Sequence, residues 1–312
     1  MIDFSNNWID SSIPSISISQ VLDLCETPFD SEKVAQLTYN KHFDNPDSQY
    51  YHKTIQEIME MWSNKGAESC HYGSLLDDYI GFKLTNENYE LVDEWMTKNK
   101  FKDDQRLQGL CKSFNDFYNV MMKSGNIKFV AREQTLYLKV KNPYHLQDPS
   151  KYSEFIYIKG RFDALFYNQA LNKYIVIDWK SSGTIDKLPN NWTKKMLGPA
   201  NSLYQLNWYR YTNQVYFYKK ALLDSNYIQS NVKADDIICM IVHLPGHMIE
   251  SCNSNFEIHQ GAYPYDPILL NNILEWGAGE RLKEQIEKQE YEQSIINESN
   301  QKQQEDLINS MF

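Results

Sequence analysis

Between Ile127 and Ser182 the hydrophobic period of the chain changes, and this change limits the possible folds more than any other feature. The segments "IKFVAREQTLYLKV", "EFIYIKGRFDALFY" and "KYIVIDWKSS" are rich in Ile, Val, Tyr and Phe, with "KNPYHLQDPSKYS" and "NQALNK" between them. That pattern predicts three consecutive strands, the last two closed as a hairpin. Before them, "SISISQVLDLC", "YHKTIQEIMEMW", "SLLDDYIGFKL" and "LCKSFNDFYNVMM" carry apolar residues at three-to-four spacing and predict helices. After them come an aromatic helix over about residues 202–223 and a strand, "DIICMIVHLP", whose unbroken apolar run suits burial on both faces. This order predicts an α/β (α+β) fold with one central mixed sheet of four to five strands flanked by helices. The expected divisions are an N-terminal helical region over 1–60, a core over 61–265, and a C-terminal helix with a polar tail over 266–312.

Composition narrows the function classes. No run approaches the 18 or so apolar residues of a membrane span, and "MIDFSNNWID" lacks a signal-peptide pattern, so a cytoplasmic protein without membrane contact is expected. The five cysteines, Cys25, Cys70, Cys111, Cys239 and Cys252, are scattered without a C-x2-C pair. Neither a disulfide framework nor a zinc or iron–sulfur site is therefore expected from them. A net charge of −10 argues against non-specific coating of nucleic acid. The charge is unevenly spread: Lys187 to Leu223 holds six basic residues and no acid, whereas from Glu275 onward nine acids face four bases.

The chemistry concentrates in the hairpin. Asp163 and Asp178 fall on adjacent strands joined by a short turn, so their side chains can converge. Two carboxylates at close range repel unless a cation lies between them. An all-oxygen donor set suits Mg²⁺ or Mn²⁺. Lys180 follows Asp178 by two residues, and the strand period turns both to one face. An isolated D-x-K is more often a surface ion pair, so the weight rests on the whole set.

The stretch "GRFDALFYNQALNKYIVIDWKSSG" resembles the PD-(D/E)XK nuclease superfamily, in the branch containing the RecB nuclease domain, lambda exonuclease and the CRISPR-associated adaptation exonucleases. Gly160, Asp163, Asp178, Lys180 and Ser181 match the G-x-x-D and hhDxK[ST] strands of that branch. The resemblance covers about residues 60–245 and implies a restriction-endonuclease-like core. It also implies Mg²⁺- or Mn²⁺-dependent hydrolysis of DNA, as an exonuclease on ends or single strands in replication, recombination or repair, in a phage or viral setting. Asp163, Asp178 and the Trp179 backbone carbonyl would hold the metal, with Lys180 catalytic and Glu133, on the preceding strand, holding a second metal or a water. The family's Q-x-x-x-Y helix has two frames here, Gln205 with Tyr209 and Gln214 with Tyr218; the wider pattern in "YTNQVYFYKKAL" favours the second. "GSLLDDYIG" departs from the family's N-terminal helix: Asp77 stands where a metal-binding histidine is usual and Gly81 where a glutamate is usual, with His71 just upstream. Asp77 is the expected replacement ligand. That departure also motivates an alternative, a catalytically weakened member kept as a DNA-binding or replisome adaptor.

Further residues are candidates for contact with DNA. Trp192 and the Tyr residues of the aromatic helix interleave with Lys194, Lys195, Arg210, Lys219 and Lys220, which reads either as a stacking platform for single strands or as a core face backed by a solvated basic face. The terminal "QQEDLINSMF" has the composition of a partner-docking peptide, although a frayed helix end is the commoner explanation. His243 and His247 receive no role.

Overall fold

The computed structural model describes residues 2–85, 89–225, 227–250 and 253–311. Its strands are β1 (Ser15–Ser17), β2 (Ile127–Arg132), β3 (Thr135–Lys141), β4 (Phe155–Arg161), β5 (Ala164–Asn168), β6 (Lys173–Lys180), β7 (Ile237–His243) and β8 (Glu257–His259). Its helices are α1 (Ile18–Leu24), α2 (Ser31–His42), α3 (Ile55–Thr85), α4 (Tyr89–Lys98), α5 (Gln105–Met122), α6 (Asn207–Asp224) and α7 (Pro267–Met311). The class is α+β, but the strands form two sheets, ordered β1-β4-β3 and β2-β5-β6-β7-β8, where one was expected.

The second sheet arises from a single bend. Each of the first two long strand segments is broken once, at Glu133–Gln134 and at Phe162–Asp163. Before the bend β2 pairs with β5; beyond it β3 pairs with β4, both antiparallel. The N–H of Glu133 donates to the Asp163 carbonyl at 3.2 Å across the bend, and Glu133 takes φ +49°, a left-handed value uncommon for a non-glycine residue. Strand periodicity alone could not show this, because both halves keep an alternating pattern.

Two cores result. Leu136, Leu138, Ile156, Ile158 and Phe162 pack with α1, α6 and the first turns of α7. Phe166, Ile175, Ile177 and Trp179 pack instead against α3 and α5 through Leu76, Ile80, Phe114 and Phe117. β7 serves both, Ile237, Cys239 and Ile241 facing the first core and Val242 the second, so it is buried on both faces. The N-terminal segment enters the first core: Ser15–Ser17, expected as helix, pairs in parallel with Tyr157–Lys159 because β4 has an edge free on that side. Ser17 then caps α1 through a reciprocal pair of bonds with Gln20. "YHKTIQEIMEMW" and "SLLDDYIGFKL" lie on one continuous helix, α3, begun by a capping box between Thr54 and Glu57. α7 docks through Leu270, Ile273, Leu274, Ala278 and Leu282, and its continuation, exposed as far as Asp306, keeps helical form to Met311. Phe312, the end of the proposed docking peptide, and Cys252 lie outside the described residues. Cys25, Cys70, Cys111 and Cys239 are free thiols. Among the described residues no helix is long and apolar enough to cross a membrane.

Gly160 sets how closely α6 lies on β4. A Cβ there would stand 2.6 Å from Phe217 Cε1, 2.8 Å from Ile18 Cγ2 and 3.1 Å from Tyr218 Cε1, all in the first core. Gly160→Ala is expected to overpack this contact and destabilise the protein by about 1–3 kcal/mol, measured as a lower urea midpoint with an unchanged slope; an unchanged midpoint would show that the core yields there.

Candidate active site

Register brings the hairpin acids together. Ala164 pairs with Ile177, so the next step along the antiparallel ladder sets Asp163 opposite Asp178. On β5 and β6, Leu165 and Val176 face the first core, and the strand period puts Asp163, Asp178 and Lys180 on that same α6-facing side. With Gly73, Leu76, Asp77, Ile80, Trp179, Ser181 and Gln214 they line a cleft of about 230 Å³. Larger hollows lie elsewhere, including one of about 680 Å³ lined by Thr27, Phe29, Trp192 and Lys194, but only this cleft gathers the hairpin carboxylates and lysine.

The electrostatics are dominated by burial. Asp178 is 1% exposed, and burial raises its carboxyl pKa against the opposing pull of Lys180. Asp163 keeps an edge open to the cleft yet is otherwise enclosed, and burial together with the charge of Asp178 pushes it up to about 8. One Asp163 oxygen accepts the N–H of Trp179 at 2.6 Å. Lys180 Nζ lies 2.6 Å from Asp178 Oδ2 and 4.4 Å from the centre of the Tyr211 ring. Burial works to lower the lysine pKa, but Asp178 and Asp163 outweigh it and raise the value, so the ammonium stays charged. Lys180 contacts Asp178 because that is the nearest counter-charge in a buried cluster. The contact lies off the hydrogen-bond direction and leaves Asp178 Oδ2 buried with no directed donor. The all-oxygen donor set of Asp163 and Asp178 fits a hard divalent cation.

The other expected ligands stand differently. Asp77 lines the cleft, but its carboxylate is 3.0 Å from Arg132 Nη2, and Asp77, Asp163 and Asp178 do not close within 4.8 Å of one another as metal ligands would. Burial raises the Asp77 pKa, opposed by Arg132. Glu133 is held from two sides, by Arg132 at 2.9 Å and by Arg161 at 3.2 Å. Arg132 therefore occupies the space in which Asp77 and Glu133 would meet a second ion. Sequence reasoning missed this residue, and its signal was Gly81: a Cβ there would fall 1.6 Å from Arg132 Nη1, so the glycine of "GSLLDDYIG" makes room for the guanidinium. His71 is exposed and is not among the residues of the cleft.

Of the two Q-x-x-x-Y frames, Gln214 reaches the cleft. Its amide donates to the Tyr218 hydroxyl at 2.8 Å, and that buried hydroxyl donates to the Arg161 carbonyl at 2.8 Å. Gln205 instead pairs twice with the backbone of Thr27, and Tyr209 stacks on Tyr263. The expected DNA-contacting cations are dispersed. Lys219 is 8% exposed with its ammonium 4.7 Å from the centre of the Tyr265 ring, and Arg210, on the opposite side of α6, is ion-paired with Asp23 and Glu26. Lys195 lies over Tyr204, and Lys194 and Trp192 line the larger groove.

A cluster not foreseen from the sequence sits at the ends of β7 and β8, where His243, Glu257 and His259 converge. The sequence signal was slight, because β8 has only three residues and was not predicted. A comparison with known proteins finds no family model that matches this chain and no matching curated protein.

Proposed function

We propose that this protein is a divalent-metal-dependent nuclease of the PD-(D/E)XK type that hydrolyses phosphodiester bonds in DNA. The observation that carries the reading is the convergence of Asp163 and Asp178, two buried carboxylates on adjacent strands, with Lys180 in one cleft. Such a pair is costly to bury, and a cation relieves both repulsion and desolvation. Asp163 and Asp178 would hold Mg²⁺ or Mn²⁺, which when bound supplies Lewis-acid neutralisation of phosphate charge. Lys180 keeps its proton in the cleft, where its ammonium can orient a water or offset charge growing on a phosphoryl oxygen. Gln214, fixed by Tyr218, lines the wall past which the substrate backbone would run. At about 230 Å³ the cleft has room for a single phosphodiester group beside the carboxylates.

A second reading, a DNA-binding adaptor with weakened catalysis, is favoured by one feature: Arg132 binds both Asp77 and Glu133 and so competes with a second ion. The two are separable. Labelled single- and double-stranded DNA should be degraded with Mg²⁺ or Mn²⁺ and not with EDTA, and Asp178→Asn or Lys180→Ala should each lower the rate by about 10²-fold or more. Equal rates in wild type and both variants would end the nuclease reading; DNA binding without hydrolysis would favour the adaptor.

The metal expectation has its own pH signature. Folded Asp163 holds its proton more tightly than the unfolded chain, so this group stabilises the fold at acidic pH, and that contribution is lost as pH rises toward about 8. A cation must displace that proton. Calorimetric Mn²⁺ affinity should therefore rise by about tenfold per pH unit from pH 6 toward 8 and level off above, with proton release. Affinity independent of pH over that range would place the ion elsewhere.

A further inference from the structure

The cluster of His243, Glu257 and His259 is separate in chemistry from the hairpin carboxylates. The side chains of His243 and His259 are 5% and 7% exposed. Glu257 Oε2 lies 3.1 Å from His259 Nε2 and 3.9 Å from His243 Nδ1. These separations straddle the edge of about 3.3 Å for a tetrahedron built on bonds of 2.0–2.1 Å. Although Glu257 is close, neither His243 Nδ1 nor His259 Nε2 has a hydrogen-bond partner of acceptable geometry. Two buried ring nitrogens aimed at one carboxylate oxygen without a directed bond are a departure from the usual satisfaction of buried polar atoms.

The surroundings are those of a ligand set. His243 Nε2 is 2.5 Å from the Ser182 carbonyl, to which it can only donate; the neutral ring then carries its free lone pair on Nδ1, toward Glu257. Lys187 pairs with the other oxygen of Glu257, Oε1, and so fixes the carboxylate while Oε2 faces the imidazoles.

We propose that His243, Glu257 and His259 form a binding site for a borderline transition-metal ion of the Zn²⁺ class, with three protein ligands and a fourth position for water. Two imidazole nitrogens distinguish it from the all-oxygen set of Asp163 and Asp178, which suits Mg²⁺. The ion would tie the short strand β8 to β7 and, through the His243–Ser182 contact, to the chain just beyond Lys180. Its role is thus to hold the strand ends that border the cleft. This site does not depend on the nuclease reading and stands if that reading fails.

Co²⁺ substitution provides the test. The chelator-stripped 312-residue chain should take up about one equivalent of Co²⁺ with the visible absorption of a four-coordinate ion, and Zn²⁺ should displace it. Asp163→Asn with Asp178→Asn should leave that spectrum intact, whereas His259→Ala and Glu257→Gln, checked for native circular dichroism, should abolish it. Should either variant fail to fold, X-ray absorption of the wild-type Zn²⁺ complex gives the ligands directly: two imidazoles with oxygen donors are expected. Absence of Co²⁺ bands in the wild type, bands surviving in folded His259→Ala and Glu257→Gln, or sulfur in the Zn²⁺ shell would overturn the proposal.

Discussion

The repulsion between Asp163 and Asp178 is the constraint around which the rest of the molecule is arranged. Antiparallel register fixes them opposite each other, and burial removes the water that would screen them. The cation that the chain itself supplies is Lys180, whose contact with Asp178 is close but poorly directed. The bend at Glu133 and Asp163 holds the carboxylates at the seam between the two sheets, where α6 crosses on the contact made possible by Gly160. A straight ribbon would have put Phe162 and Phe166 against one helical layer. The bend sends them to separate cores and leaves the acids at the opening between.

The same logic governs the arginines. Arg132 answers Asp77 and Glu133, Arg161 adds to Glu133, and Arg210 answers Asp23 and Glu26. Acids therefore consume several of the cations that a basic surface would need. A net charge of −10 further opposes a broad hold on a phosphate backbone. Recognition of DNA by such a chain would rest on the cleft and on local contacts, Trp192 with Lys194 among them, more than on a broad positive field. The charge average could not say which bases were already paired.

Much of the site was legible because strands report their faces through period two. Asp178 and Lys180 read to one face from spacing, Asp163 could join them given the register of the hairpin, and the three line one cleft. Gln214 was preferred over Gln205 on its local pattern and is the glutamine that reaches that cleft. What spacing could not show was long-range pairing. The ion pairs of Arg132 and Arg210 join residues distant in sequence, Lys219 is covered by Tyr265 from the loop before α7, and β1 reads as helix because a three-residue strand has too little periodicity to register. The bend was hidden for a different reason: a left-handed turn at Glu133 carries no glycine or proline to mark it.

One strand end links the two candidate metal sites. Lys180 faces the carboxylates and stands in parallel register with His243, while its own carbonyl accepts the Leu244 N–H at 2.8 Å. Two residues on, Ser182 gives its carbonyl to His243. The chain leaving β6 is thus bound to the end of β7 at two neighbouring points, and a shift of His243 toward a shared ion with His259 would be transmitted to Ser182 before it reached Lys180. Hard oxygen ligands on one side and imidazoles on the other let the two positions prefer different cations at the same metal concentrations. An ion at the histidines would then act on the cleft through backbone position, without competing for Asp163 or Asp178.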